Sequence, residues 1–307
     1  MSRVYQNVLM DSTRWAGFAP RDGDIIIATS YKAGTTWMQG ICAALVFQQP
    51  KPPLPQGELS PWLDSNFGSI EEVLALLEGL RHRRYIKTHM PLDGLPYFEQ
   101  ARYIFVGRDG LDVFMSLWNH WHNMTDEGFA MLNEGPNRVG PDFPHPPAEI
   151  GPAFDEWISK GGFPWEHDGW PFWSHLNHAD TFWQVREREN VLHVHFQDLL
   201  DDLDGEMRRV SEFLSIPVDE AVWPELLRGV GFDAMKSNAE AMAPAAGRGL
   251  WKDTKNFFHK GTNRRWEGVL SEAQVAAYRA LSARRLSPEL DAWLARGSRA
   301  TAYPNAG

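Results

Sequence analysis

The segment from residue 25 to residue 47 restricts most strongly what this chain can fold into. It begins IIIATSYKAGTTW, so a β-branched apolar run passes through a short loop into a helical pattern. A strand that turns directly into a helix points backbone N–H groups and the positive end of the helix dipole at one place, which favours anion binding. Gly34 allows close backbone approach, Lys32 adds a charge, and Thr35 and Thr36 place hydroxyls at the helix start. The segment predicts an anion site, although a plain strand-to-helix turn with a capping threonine is an alternative.

The order of lysine and glycine in this loop argues against a nucleoside triphosphate. A Walker A loop has its lysine directly after the last glycine. Here Lys32 precedes Gly34 by two positions. A loop for ATP or GTP is therefore disfavoured.

Strand and helix patterns alternate along the chain. Short β-branched or aromatic runs predict strands at Ile25–Thr29, Arg84–Thr88, Arg102–Val106 and Val191–Phe196. Helices are predicted at Thr35–Phe47, Ile70–Leu80, Leu111–Trp121, Phe172–Glu187, Leu203–Leu214 and Ser271–Leu281. This alternation predicts an α/β fold, with a P-loop-like parallel sheet flanked by helices on both faces. We expect a single domain over residues 1–307.

Two stretches depart from the alternation. Residues 48–69 are rich in Pro and Gly, and residues 123–171 combine Pro, Gly, Asn and aromatic residues. A long irregular segment within a compact domain is usually a functional loop. We predict that residues 123–171 form a substrate loop or lid, and that residues 299–307 form a frayed tail.

The overall composition excludes several classes of function. The net charge is −10, and non-specific nucleic-acid binding needs a basic surface, so no nucleic-acid partner is expected. Cys42 is the one cysteine, which excludes an internal disulfide and suits a reducing compartment. The N-terminus does not have the pattern of a signal peptide, and no apolar run approaches the ~20 residues that span a bilayer. We predict a cytoplasmic protein with no transmembrane segment.

The loop Tyr31–Trp37 resembles the 5′-phosphosulfate loop of sulfotransferases that use 3′-phosphoadenosine 5′-phosphosulfate (PAPS). The family pattern is approximately Y-P-K-[SA]-G-T-T-W, and the proline is missing here. Further segments resemble the family in the same order: YIKTHMPL (85–92), YIFVGRDGLDVFMSLWNHW (103–121), VLHVHFQDLL (191–200), VGFDAMKSN (230–238) and FFHKGTNRRW (257–266). The resemblance extends over roughly residues 20 to 285. It implies a PAPS-dependent sulfotransferase of the cytosolic type, similar to bacterial members.

The resemblance also implies catalytic roles. Lys32 would stabilise the charge that builds on the leaving group, and His89 would deprotonate the acceptor hydroxyl. An unperturbed imidazole, with a pKa of about 6.5, suits a base near neutral pH. Lys87 lies two residues before His89 on the strand and would assist at the sulfonate; an ordinary solvated lysine fits equally well.

The residues implied to bind the cofactor come from four segments. Arg108 and Ser116 would hold the 3′-phosphate, while Trp37 and Phe232 would contact the adenine. The full set is Lys32, Ala33, Gly34, Thr35, Thr36, Trp37, Arg108, Ser116, Phe232, His259, Lys260 and Gly261.

The chain departs from the family pattern near its C-terminus. His259 stands where the family has an arginine, and a neutral histidine is a poorer phosphate ligand. Arg264 or Arg265 could take over that contact. The dimerisation motif of animal cytosolic members is absent, so the oligomeric state is open. We predict no metal, because His175 and His178 have the spacing of metal ligands but no evident carboxylate or cysteine partner.

The acceptor is predicted from aromatic residues in the irregular stretch. An aromatic-lined pocket suits a small apolar or phenolic alcohol, or the hydroxyl of a lipid or glycolipid. The residues in question are Trp118, Trp121, Phe154, Trp157, Phe163, Trp165 and Trp170. Core packing is the alternative for all of them.

Two other functions are open at this point. One is a P-loop kinase-like phosphotransferase, and the other is a non-catalytic nucleotide-binding protein of the same fold. Tight binding of 3′-phosphoadenosine 5′-phosphate (PAP), with ATP and GTP ignored, would favour the sulfotransferase over the kinase. Binding without transfer to any acceptor would favour the non-catalytic protein.

Overall fold

Four short parallel strands form the central sheet of the protein, for which a computed structural model describes residues 1–135, 137–244 and 246–301. The strands are β1 (Ile25–Thr29), β2 (Tyr85–Thr88), β3 (Arg102–Gly107) and β4 (Val191–His195). Their order in the sheet is β2-β1-β3-β4, and every neighbouring pair is parallel. The chain leaves β1 towards β2 on one side and leaves β3 towards β4 on the other. The carboxyl ends of β1 and β3 therefore flank a topological switch point, where open α/β sheets bind their ligands.

Helices connect the strands and follow the last of them. The helices are α1 (Thr35–Phe47), α2 (Gln56–Leu59), α3 (Ile70–Gly79), α4 (Gly110–His122), α5 (Asp126–Asn133), α6 (Ile150–Trp157), α7 (His175–Trp183), α8 (Phe196–Asp201), α9 (Leu203–Leu214), α10 (Trp223–Gly229), α11 (Phe232–Ser237), α12 (Ala239–Met242), α13 (Glu272–Arg285), α14 (Pro288–Arg296) and α15 (Ser298–Thr301). Short 3₁₀ turns lie at Ser12–Gly17, Leu92–Gly94 and Thr254–Phe257.

The strands are apolar on both faces because both faces are covered. In β1, Ile25 and Ile27 pack with α1 and α9 in one core cluster, while Ile26 and Ala28 pack with α4 and α7 in another. All five residues of β1 are buried. Near-continuous apolar runs are what a parallel sheet between two helical layers requires. The predicted α/β fold is therefore confirmed, as a single domain.

Most predicted elements agree with the structure, and α1 and α9 have the predicted bounds. The predicted last strand is one residue too long, because Phe196 already begins α8. The helix predicted at 172–187 is confined to His175–Trp183. Its start is set by Ser174, whose hydroxyl accepts a hydrogen bond from the backbone N–H of Asn177.

The segment 123–171 is less irregular than its composition suggested, since it contains α5 and α6. Side chain–backbone hydrogen bonds also fix it: Asn133 Nδ2 donates to the Phe143 carbonyl at 3.1 Å, and Trp121 Nε1 donates to the Pro144 carbonyl at 2.8 Å. At the C-terminus, the amide of Ser298 donates to Asp198 Oδ2 at 2.9 Å, where α15 begins. Of the tail expected to fray, residues 299–301 belong to α15 and residues 302–307 lie outside the described residues.

Candidate active site

A cavity opens at the switch point, where the loops after β1, β2 and β3 meet the C-terminal segment. The space between its walls, counted together with the solvent at its opening, is about 930 Å³. The predicted site residues that line it are Lys32, Gly34, Thr35, Thr36, Trp37, Lys87, His89, Arg108, Ser116, Phe232, His259, Lys260 and Gly261. Ala33 does not line it: its side chain is buried in the core, and its N–H donates to the Ser30 carbonyl at 3.3 Å.

The loop after β1 leaves the first turn of α1 open. The N-cap residue is Gly34, so no side chain caps the helix, and the alternative of a capping threonine does not hold. Gly34 has φ +125°, and a Cβ added there would lie 3.0 Å from the Phe196 ring, so a larger residue would be strained. Free N–H groups at a helix N-terminus beside a cavity favour an anion in that cavity.

Three cations of this site lack a carboxylate partner. Within the described residues, no salt bridge involves Lys32, Lys87 or Arg108. The nearby carboxylate of Asp109 instead pairs with Arg279 at 2.6 Å. Three basic side chains without a salt bridge leave the cavity suited to a polyanionic ligand, even though the protein as a whole is acidic.

Burial changes the protonation of these cations. It lowers the pKa of Lys32 to about 7, with further contributions from Arg108, Lys87 and Arg265. It lowers the pKa of Lys87 to about 8, against the attraction of Asp64. Each ammonium would be stabilised by an incoming anion, because the charged form then gains a counterion.

Arg108 connects the loop after β1 to the C-terminal loop. Its Nη1 donates to the Lys32 carbonyl at 3.1 Å, its Nη2 to the Thr262 carbonyl at 3.2 Å, and its Nε to Asn263 Oδ1 at 2.9 Å. The guanidinium lies 3.9 Å from the centroid of the Phe196 ring. An anion bound by Arg108 would therefore be linked to both loops through the hydrogen bonds of this side chain.

His89 lies at the carboxyl end of β2 with a defined tautomer. Its Nδ1 is 3.0 Å from the Thr29 carbonyl oxygen; since a carbonyl can only accept, the proton is on Nδ1 and the lone pair is on Nε2. Burial, together with Lys87 and Lys32, lowers the pKa of His89 to about 3. The expectation of an ordinary imidazole pKa near 6.5 is thus wrong for the ligand-free protein. His89 is a neutral imidazole with a free lone pair throughout the physiological range.

The C-terminal loop decides which of its basic residues faces the cavity. Arg265 lines the cavity, whereas Arg264 is 80% exposed and pairs with Glu267 at 3.7 Å. Arg265 is therefore the arginine in place to supplement His259. Next to it, a Cβ on Gly261 would lie 2.2 Å from the Phe232 ring, so only a glycine lets this loop lie against that ring.

Several cavity residues were not predicted from the sequence. They are Tyr31, Trp62, His120, Phe196, Met235, Pro244, Phe257 and Phe258. His120 could have been found, because it lies four residues after Ser116 on α4 and so shares its helix face. Trp62 could not, because it reaches the cavity through a β-bridge to Lys87 that joins distant parts of the chain.

The aromatic residues chosen as candidates for an acceptor pocket do not line the cavity. Trp121, Phe154, Trp157 and Phe163 are buried in the hydrophobic core. The ring of Phe154, for example, lies 4.9 Å from Phe114 of α4 in an edge-to-face contact. For these four residues the interpretation as an acceptor pocket is wrong, and core packing, the alternative, holds. The aromatic wall around His89 consists instead of Tyr31, Trp62 and Trp173, with ring centroids 4.9, 5.2 and 5.9 Å away.

The described residues contain neither a cluster of metal ligands nor a membrane-spanning helix. No group of three or more His, Cys, Asp or Glu side chains in them has the geometry to hold a metal ion. None of their helices has the length and apolar character needed to cross a membrane. The cytoplasmic location stays a prediction.

Comparison with known proteins agrees with this geometry. The family model of the sulfotransferase domain matches residues 22–288. A glycolipid sulfotransferase of Mycobacterium tuberculosis is 34% identical over 96% of this chain and 95% of its own length. Cytosolic sulfotransferase 1 of Danio rerio is 27% identical over 83% of this chain and 84% of its own length. The chain belongs to the sulfotransferase family, so the prediction of a PAPS-dependent sulfotransferase is confirmed.

Solved structures share the fold at low sequence identity. Mouse sulfotransferase SULT7A1, complexed with PAP, superposes with a TM-score of 0.69 at 18% identity, over 95% of this chain and 97% of that one. Retinol dehydratase, in a complex with retinol and PAP, also gives a TM-score of 0.69, at 19% identity, over 90% of this chain and 84% of that one. The family match, and not this likeness of fold, sets the kinase-like alternative aside.

Proposed function

We propose that this protein transfers the sulfonate group of PAPS to a hydroxyl of a lipid-like or small apolar acceptor, with His89 as the general base. The observation that carries the proposal is the cavity itself. Cations without a salt bridge and an uncapped helix N-terminus lie around the same cavity as a neutral imidazole whose Nε2 lone pair is free. A hydroxyl acceptor needs that lone pair, and a polyanionic donor needs those charges.

The residues present fit PAPS at both of its charged ends. The 5′ end would lie at the N-terminus of α1, with the N–H groups and hydroxyls of Thr35 and Thr36 and the ammonium of Lys32 as donors. The 3′-phosphate would lie against Arg108 and Ser116. Closure on that side comes from Lys260, Gly261 and Arg265 of the C-terminal loop.

The adenine would be held between aromatic groups. Trp37 and Phe232 both line the cavity. The indole of Trp37 is fixed, because its Nε1 donates to the Val230 carbonyl at 2.9 Å. Phe232 rests on Gly261 of the loop that would hold the 3′-phosphate, which would couple base binding to loop closure.

PAPS supplies an activated sulfonate on a phosphate leaving group. Lys32 donates hydrogen bonds to the oxygen on which charge builds as the S–O bond breaks. His89 Nε2 takes the proton from the acceptor hydroxyl as its oxygen forms the new bond to sulfur. Lys87, on the same strand as His89, adds positive charge near the sulfonate. The anionic ligand also raises the pKa of His89, since it offsets the charges of Lys87 and Lys32 that lower it.

The surroundings of His89 favour an acceptor that is apolar next to its hydroxyl. Tyr31, Trp62 and Trp173 surround the imidazole, and Trp62 in turn contacts Phe67, which is 41% exposed. This aromatic path leads from the base to the surface. The glycolipid sulfotransferase relative supports the same class of acceptor. We propose that residues 123–171 cover the acceptor, because Asn137 Nδ2 of this segment reaches the Gly68 carbonyl beside Phe67, at 3.1 Å.

The test is an acceptor screen with PAPS labelled in its sulfonate. The panel contains a phenol, a long-chain alcohol, a glycolipid, a sulfate-free polysaccharide and no acceptor. We expect label on the apolar alcohols or the glycolipid and little on the polysaccharide. Absence of transfer to every acceptor, with PAP bound tightly, would show a non-catalytic nucleotide-binding protein.

His89→Asn tests the base, because an asparagine amide can keep the Nδ1 contact to Thr29 while the Nε2 lone pair is lost. We expect transfer to fall by about 10²–10⁴-fold, the usual contribution of a general base, with PAP affinity changed by less than about 3-fold. His82→Asn is the matched control: His82 lies beyond the opposite end of β2 and does not line the cavity. Equal transfer by the His89→Asn variant and the wild type would remove His89 from the mechanism.

A further inference from the structure

His120 links two residues of the anion-binding loop. Its Nδ1 lies 3.3 Å from Lys32 Nζ, and its Nε2 lies 2.9 Å from Tyr31 Oη. The ring also packs against Trp251 and Phe257, with centroids 4.6 and 5.6 Å away. His120 is 6% exposed. Both ring nitrogens therefore have a polar partner in a buried position, and the ring itself packs against aromatic side chains.

The direction of these hydrogen bonds follows from the chemistry of the partners. When Lys32 is an ammonium, which has only donors, Nδ1 of His120 accepts its hydrogen bond. The ring proton is then on Nε2, and this N–H donates a hydrogen bond to Tyr31 Oη. A doubly protonated ring would turn an N–H towards the ammonium and lose the contact. The geometry therefore requires a neutral His120.

We propose that His120 is a positioning residue for sulfonate transfer: it holds the Lys32 ammonium, charged and correctly directed, through a hydrogen bond to Nδ1 that is anchored by Tyr31 at Nε2. This rests on the function proposed above, because that function assigns the leaving-group charge to Lys32. His120 itself acts through Lys32.

The charges around the pair explain why Lys32 needs such a partner. Arg108, Lys87 and Arg265 all disfavour its protonated form, as does burial. Its other contact is the face of the Phe257 ring, 4.1 Å from Nζ. A hydrogen-bond acceptor stabilises the ammonium over the neutral amine, so loss of Nδ1 would lower the pKa of Lys32 further.

His120 stays neutral for related reasons. Burial is the main cause that lowers its pKa, followed by the charges of Lys32, His89 and Lys87. Tyr31 faces it from the loop after β1 and is itself kept protonated by burial, which raises its pKa. The aromatic residues that face it from the C-terminal segment, Trp251 and Phe257, carry no charge.

Four substitutions separate the two hydrogen bonds from the packing. His120→Phe keeps the ring and removes both bonds. His120→Asn places an amide oxygen near the Nδ1 position, and His120→Gln places its amide near the Nε2 position. Tyr31→Phe removes the anchor alone. The measurement is kcat and kcat/KM for PAPS from pH 6 to pH 9, together with PAP affinity.

The wild type should lose kcat/KM for PAPS as pH rises above about 7, because free Lys32 then loses its proton. His120→Phe should lower kcat by about 10-fold or more, the scale of one misplaced charged donor. It should also lower the pH above which kcat/KM falls, which is the basic limb of the pH profile. His120→Asn should keep most of the wild-type kcat, and its basic limb should lie near the pH of the wild type. His120→Gln should not, and Tyr31→Phe should have a smaller effect than His120→Phe.

Two results would overturn the proposal. One is a basic limb at the same pH in the wild type and His120→Phe. The other is an equal loss of kcat in the Phe, Asn and Gln variants, which would show that His120 only packs. If the wild type transferred no sulfonate at all, the proposed function would fail instead. Proton uptake on PAP binding at pH 7 would then decide the Lys32–His120 contact, with more uptake expected in His120→Phe than in the wild type.

Discussion

Binding of PAP should draw protons from solution, because two cavity lysines are partly neutral before the anion arrives. Lys32 has a pKa of about 7 and Lys87 a pKa of about 8 in the free protein. At pH 7.5 the amines are therefore neutral in about 0.76 and about 0.24 of the molecules, respectively. Two phosphate groups beside them would raise both pKa values well above the working pH.

The expected uptake at pH 7.5 is the sum of those two fractions, or about one proton per PAP bound. At pH 8.5 the fractions become about 0.97 and about 0.76, so the uptake should rise to about 1.7 protons. The phosphates of PAP, with a second pKa of about 6, contribute little at either pH. The sign is fixed: the complex binds more protons than the free protein, so affinity should weaken as pH rises across this range.

Isothermal titration calorimetry in buffers of different ionisation enthalpy measures this number directly. Lys32→Met should reduce the uptake at pH 7.5 to about 0.24, the share of Lys87 alone. Lys160→Met is the control, because Lys160 is 50% exposed and pairs with Glu156 away from the cavity. An uptake near zero, or one that Lys32→Met leaves unchanged, would refute the account of lysines whose pKa is lowered because no carboxylate pairs with them.

Three other predictions concern the ligand, the loop and the fold. Arg108→Ala should weaken the binding of PAP by about 10–100-fold, as expected for loss of a charge-assisted hydrogen bond. Binding of adenosine 5′-phosphosulfate, which has no 3′-phosphate, should hardly change. Equal losses of affinity for the two ligands by titration would contradict the 3′-phosphate contact. Gly34→Ala should destabilise the protein by about 1–3 kcal/mol in urea unfolding, because of its positive φ and the Phe196 ring, whereas Gly57→Ala, with open space around it, should cost far less. The urea midpoint should decrease when the pH is lowered from 7 to 5. Burial lowers the pKa of His89 to about 3 and of His175 to about 4, so below about pH 6.5 these imidazoles bind protons in the unfolded chain but not in the folded protein. Stability is therefore lost on acidification. Burial raises the pKa of Glu166 to about 8, which opposes this trend, and a midpoint that rose towards pH 5 would show that buried carboxyl groups dominate.

Local chemistry along the chain explains why so much was predictable. The strand, loop and helix at residues 25–47 depend on neighbouring residues: β-branched side chains, a glycine at positive φ, and a helical run without proline. The same holds for α9, whose bounds were predicted to the residue. The start of α7 is set by capping at Ser174, and the hydrophobic pattern alone placed this helix start too early.

The sequence by itself determined the α/β class, the family and the cofactor loop, because these depend on patterns that a short stretch of chain carries complete. Only the tertiary structure decided that Arg265 and not Arg264 faces the cavity, that His120 contacts Lys32, and that Trp121 and Trp157 pack in the core. It also decided that His89 is neutral far below the usual imidazole pKa. Burial and charge proximity are properties of residues brought together from distant parts of the chain, and no local pattern specifies them.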